Sequence, residues 1–206
     1  MLSGVWLDDL GAGLARGVYL LTCWPVRRRT SAENFSLNQA RDIKGAFVSS
    51  QKSEQAAGLR YGHTACGRTG CGGIAIYNAL TALGLRVSLA EVLYQLERRR
   101  CAAAGGRLGT HPFRLRRVLN LYPVRARRVY RMEALAEEMR AEDATIVAIW
   151  NDRSHPLRGA HFFALRRSAA EFEALNREGI PACGTLAEIV GRGRFITGCL
   201  LHRESA

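Results

Sequence analysis

The apolar positions of the chain follow two regimes. From Ile74 they recur at three- and four-residue steps, the spacing of one helix face. Ile74, Tyr77, Leu80 and Leu83 align this way, and Gly84 supplies a stop. Ser88 with Glu91 three residues later is a capping-box pattern. It opens a second helix to about Arg99, with Val92, Leu93 and Leu96 inward. Cys101 to Gly109 is small and glycine-rich and reads as a loop. Thr110-His111-Pro112 starts a third helix, with Thr110 as cap, proline in the first turn and His111 at the surface. Phe113, Leu115, Val118 and Leu119 are its apolar positions. Arg125 to Tyr130 is a short strand, and Met132 to Arg140 an Ala-, Glu- and Leu-rich helix.

The regime then changes. Thr145 to Trp150 is β-branched and apolar, a buried strand. Ala160 to Leu165 is a second strand, antiparallel to the first. Phe172 to Asn176 is a third, and Arg194 to Leu201 the last. Between them, Thr185 and Glu188 repeat the capping-box spacing and open a helix to about Val190. Helices followed by an antiparallel sheet make an α+β organisation, with N-terminal helices packed on a C-terminal sheet. Upstream, residues 1 to 25 read as a helix or two ended by Trp24-Pro25. Residues 27 to 60 are polar and read as an irregular arm. The expected division is an extension over 1–56 and a main domain over 57–206.

Composition narrows the class. With 48% hydrophobic and 23% charged residues, the chain is an ordinary globular protein. Its formal net charge of +12 invites a nucleic-acid reading. Against it, the basic residues are nearly all arginine, alanine is abundant beside them, and no aromatic-interleaved motif accompanies them. A solvated surface is expected, with no nucleic-acid partner; affinity for acidic ligands or membrane surfaces stays open. Six cysteines, no leader pattern and no spanning apolar run point to reduced thiols and a cytoplasmic protein without membrane insertion. Cys66 and Cys71 are a weak match to zinc-ligand spacing, so neither metal nor cofactor is expected.

Chemistry enters at Cys71. It stands where a glycine-rich loop runs into a helix, and the unpaired N–H groups and partial positive charge there favour a thiolate. A period of two places His161, Phe163 and Leu165 on one strand face. If that face packs on the Cys71 helix, an imidazole meets the thiol, the activated pair of cysteine hydrolases. Asn176 then offers a side-chain amide oxygen to orient the imidazole.

These residues carry a resemblance. Gly70-Cys71-Gly72-Gly73-Ile74-Ala75-Ile76-Tyr77-Asn78-Ala79-Leu80, Gly109-Thr110-His111-Pro112, Gly159-Ala160-His161-Phe162 and Leu175-Asn176 together resemble the bacterial C39-like cysteine peptidases of the papain-like superfamily. The resemblance spans about residues 61 to 201. It implies a papain-like fold, a Cys71 nucleophile, a His161 base, Asn176 as orienter, and cleavage of a peptide or protein substrate through a thioester. The superfamily commonly has an oxyanion-hole glutamine about six positions before the cysteine, where Ala65 stands here. Loss of such a donor typically costs about 100- to 1000-fold in rate. The Cys71 N–H is one donor. Tyr61, His63, Thr64, Gln51 and Gln55 are candidates for the second. His63 as base and Cys66 as nucleophile are the competing assignments, His155 borders the cleft, and Asn78 is expected to bond a neighbouring loop. The expected function is a cysteine peptidase-like hydrolase. The alternatives are a catalytically silent papain-like peptide-binding module and an acyltransferase on the same triad. Oligomeric state is not legible.

Overall fold

Strand β4 (Ala144–Trp150) is buried along its whole length, as seven consecutive apolar or β-branched residues require. A computed structural model describes residues 25–154, 159–168 and 170–204 and places β4 at the centre of a five-stranded antiparallel sheet. Its neighbours are β5 (Ala160–Ser168) and β7 (Arg194–Arg203). The edges are β6 (Glu171–Ala174), beside β5, and β3 (Val124–Val129), beside β7. The β1 (Arg60–Tyr61) and β2 (Thr64–Ala65) pair forms a separate two-residue ribbon.

Each face of the sheet buries a different cluster. On one, Ile146, Ala148, Phe162 and Ala164 join the core formed by α4 (Cys71–Ala82) and α5 (Leu89–Arg98). On the other, Val147, Ile149, Phe163 and Leu165 meet Leu135 of α7 (Met132–Glu138) and Ile189 of α8 (Leu186–Val190). The arrangement is α+β, as the succession of periodicities implies. Helix α4 is buried from Cys71 through Leu80, because it lies between the sheet and α5.

Local chemistry explains the helix starts. Ser88 caps α5 by accepting from the Glu91 N–H. Thr185 and Glu188 close a full capping box at α8. The expected third helix is instead a 3-10 turn, Pro112–Arg114, followed by the one-turn α6 (Arg116–Leu119). Its cap is His111, whose Nδ1 accepts from the Phe113 N–H at 3.1 Å. Thr110 is not the cap. Its side chain is fully buried and bonds the Tyr61 hydroxyl at 2.9 Å. His111 is likewise buried rather than at the surface.

The arm over 27–60 is not irregular throughout. Residues Arg28–Gln39 form helix α1, and Glu54–Ala57 a single turn, α2. Helix α1 packs on α5 and β1 through polar residues: Ser31, Asn34 and Asn38 are its buried positions. Asn38 donates to the Arg60 carbonyl at 2.9 Å and accepts from the Arg60 N–H at 2.7 Å, as a neighbouring strand would. Asn78 does the same to Val48, at 2.9 and 3.0 Å, and fixes the segment after α1 onto α4. The helix expected over 1–25 lies outside the described residues, apart from Pro25.

The buried His111 predicts a response to acid. Burial first, then the charges of Arg114, Arg117 and Arg128, push its imidazole down to about 4. Its unfolded value is near 6.5, so the unfolded chain binds the extra proton between these limits. The associated stability is present above pH 6.5 and lost as pH falls towards 4. A loss of about 2 kcal/mol is expected, smaller than the full shift implies because solvent screens the arginines. His111→Asn keeps an acceptor for the Phe113 N–H. Urea midpoints measured at intervals over this range should fall less in that variant than in the parent.

Candidate functional site

Cys71 is the first residue of α4, with Gly70 at the cap position. Before it, Cys66–Thr69 form the single turn α3, so Cys66 also stands at the start of a helical turn. Two glycines allow the close packing here. A Cβ on Gly70 would lie 2.1 Å from the Cys66 sulfur, and one on Gly72 would lie 2.3 Å from Thr110 Oγ1. The head of α4 is therefore pressed against the Tyr61–Thr110 pair.

The Cys71 thiol is buried, and burial raises its pKa. The main-chain N–H groups of Phe162, Gly72 and Cys71 itself oppose that rise but do not cancel it. The Phe162 N–H is available for a topological reason. The Phe162 carbonyl and the Ala164 N–H both face Asn176, away from β4. The N–H and C=O of one strand residue point to the same side, so the Phe162 N–H does too. Strand β6 pairs only from Leu165 onward, which leaves this N–H free to meet the sulfur.

His161 stands next to Phe162 in the chain, but its side chain takes the opposite face. It pairs with Ile149, and both lie on the α7–α8 side of the sheet with Phe163 and Leu165. The predicted alternation is present. The face that packs on α4 is Ala160, Phe162 and Ala164, not the histidine's. Among the described residues no hydrogen bond or ion pair joins Cys71 to His161. The imidazole donates to the Asn176 carbonyl, and its pKa is lowered by burial first and by Arg177 second. Arg177 is itself held by the Ile189 and Val190 carbonyls at the end of α8, 5.4 Å from the Phe163 ring centre.

Asn176 differs from expectation in two ways. It lies just beyond β6 rather than in it, and its amide does not orient the imidazole. The amide donates to the Phe162 carbonyl at 2.9 Å and accepts from the Ala164 N–H at 2.7 Å. The side chain thus completes the edge of β5 where β6 stops. The residue meets His161 through its main-chain oxygen instead.

The other candidates are scattered. The Tyr61 hydroxyl is fully buried on Thr110, and burial raises its pKa strongly. His63 is exposed, with its N–H on the Gly105 carbonyl. Thr64 pairs with Tyr61 in the β1–β2 ribbon. Gln51 donates weakly, at 3.4 Å, to the Arg68 carbonyl, and Gln55 is exposed. Cys66 is pushed up to about 12, by burial and then by Cys71. His155 lies outside the described residues. Two groups at the head of α4 escape sequence reasoning: the Thr110 side chain beside Gly72, masked by its capping pattern, and the Phe162 N–H at the thiol, because any residue type supplies one.

Comparison with protein-family models, with curated proteins and with solved structures returns no match. Among the described residues no helix is long and apolar enough to cross a membrane. No three His, Cys, Asp or Glu residues among them come together as a metal site.

Proposed function

We propose that the chain is a cysteine hydrolase of papain-like fold acting on peptide or amide bonds, with Cys71 as nucleophile. The observation that carries this reading is the meeting of the Cys71 sulfur, at the head of a buried helix, with the main chain of the histidine-bearing strand at Phe162. In the reaction the sulfur attacks the carbonyl carbon and its proton passes to His161. His161 returns that proton to the leaving amine, and water then releases the acid from the thioester. Proton transfer requires the imidazole on the α4 side of β5, so the ring has to leave the Asn176 carbonyl for the reaction to run. Acyl transfer to an amine in place of water uses the same groups.

A second reading is favoured by a specific observation: the thiol is raised and uncoupled from any base. A silent peptide-binding module would keep that state permanently. Alkylation by iodoacetamide over a pH series separates the two, read by peptide mass spectrometry at each cysteine. For a hydrolase, Cys71 reacts at neutral pH with an acid-shifted profile, and His161→Ala moves the profile to alkaline pH. A Cys71 profile that is alkaline in the parent and unchanged in His161→Ala would overturn the hydrolase and leave the silent module.

A further inference from the structure

The positive charge of this protein is not spread along the chain. Between Arg98 and Arg131 there are eleven arginines and no aspartate or glutamate. The remainder carries nineteen basic against eighteen acidic residues, so one segment holds nearly all the net charge. The fold gathers that segment at the end of α5, at α6 and along β3.

Two clefts open there and share Asn120 on their walls. One, of about 510 Å³, lies among Arg98, Arg99, Arg100 and Arg117. The other, of about 570 Å³, is lined by every residue from Val124 to Arg128, together with Arg116, Tyr130 and one carboxylate, Glu204, against four arginines. Consecutive residues of a strand point to opposite faces, so a cleft touching all five runs along the strand's edge. β3 is the terminal strand, hydrogen-bonded only to β7, and its outer edge carries unpaired N–H and C=O groups. Of these arginines, Arg127 is paired with Glu138, and Arg128 bonds the Phe113 carbonyl. Arg98, Arg100, Arg116 and Arg125 have no carboxylate partner among the described residues. Burial pushes the Cys199 thiol up to about 12, and Arg128 and then Arg116 act against that rise.

We infer that the edge of β3 is a docking site for an extended acidic peptide, which adds to the sheet as a further strand and places its carboxylates on Arg116, Arg125 and the arginines beyond Asn120. The unpaired main-chain edge selects this occupant over a nucleic acid. A peptide in extended form supplies alternating donors and acceptors to match β3, whereas a phosphodiester backbone supplies acceptors alone. Guanidinium forks take carboxylates two bonds at a time. Tyr130, 59% exposed beside Arg128, forms an aromatic wall at the end of the cleft. The inference does not depend on the thiol chemistry.

The test is fluorescence anisotropy with a fluorescein-labelled peptide of alternating Glu and Val, as long as β3. The expected result is saturable binding that weakens with added salt. Arg116→Glu combined with Arg125→Glu should weaken it about tenfold or more. Both residues are exposed and unpaired, and far-UV circular dichroism checks that the variant is folded. Two N-methylated forms of the peptide, blocking alternate sets of amides, should behave differently, because only one set faces β3. Cys71→Ala should bind like the parent, which keeps this result separate from the hydrolase reading. Equal binding by both N-methylated forms, tighter binding of a single-stranded oligonucleotide of the same charge, or no binding at all would overturn the inference. In the last case the arginines only keep an exposed edge from pairing with other copies.

Discussion

Asn176→Ala should lower the unfolding free energy by about 2 to 6 kcal/mol, the cost of leaving two buried main-chain groups without partners at about 1 to 3 kcal/mol each. The groups are the Phe162 carbonyl and the Ala164 N–H, and the asparagine amide serves both from a position only 3% exposed. Asn176→Asp keeps an acceptor for Ala164 but sets a carboxylate oxygen against the Phe162 carbonyl, so it should be destabilising as well. Urea unfolding at neutral pH reads both variants. A side chain that merely oriented an imidazole would leave the midpoint almost unchanged on truncation. Because the Phe162 N–H faces the Cys71 sulfur, loosening β5 here should also raise the alkylation rate of Cys71.

The second large effect is expected at Glu97, whose carboxylate is 1% exposed. Its Oε1 accepts from the Gly62 N–H at 2.6 Å and from the Asn34 amide at 3.0 Å. Glu97→Ala strands both donors and should cost about 2 to 4 kcal/mol. Glu97→Gln keeps the acceptor and removes the buried charge, so it should be at least as stable as the parent at neutral pH. The pH dependence gives a sharper check. Burial raises this carboxyl above its usual value near 4.5, against the opposing effect of Gly62, Asn34 and Ser31. The folded chain therefore holds a proton that the unfolded chain has released. This contribution is greatest below pH 4.5 and is lost as pH rises through the folded value, opposite in sign to that of His111. Stability curves of the glutamine variant should lack the decline with rising pH. A curve superimposable on the parent's would show that Glu97 titrates normally.

The two halves of the fold were legible to different depths. Apolar, β-branched runs and capping boxes announced β4, β5, β7, α5 and α8, because each is written in consecutive residue types. The helix in the arm was not legible. Its inward face is Ser31, Asn34 and Asn38, so a search for apolar periodicity passes over it. The sidedness of β5 was hidden for the opposite reason: both of its faces are apolar. The choice between Phe163 with Leu165 and Phe162 with Ala164 is made by the helices that cover them. That choice turns the His161 ring away from α4. Thr110 shows how a good local signal misleads, since a threonine before a proline reads as a cap until Tyr61 and Gly72 claim its side chain.

Helix α1 carries a consequence for how the chain acquires its shape. Twelve residues of mostly polar composition do not hold a helix alone in water. The partners of its buried side chains lie far along the chain: Asn34 bonds Glu97 across 63 residues, and Asn38 bonds Arg60 across 22. α1 is therefore a segment that folds on docking, and its helicity is a property of the assembled core rather than of its own sequence. A synthetic copy of residues 26–40 would be unstructured in isolation. Its excess would compete with the tethered segment for the groove between α5 and β1, so that the segment behaves as an internal ligand with a measurable affinity for its own protein.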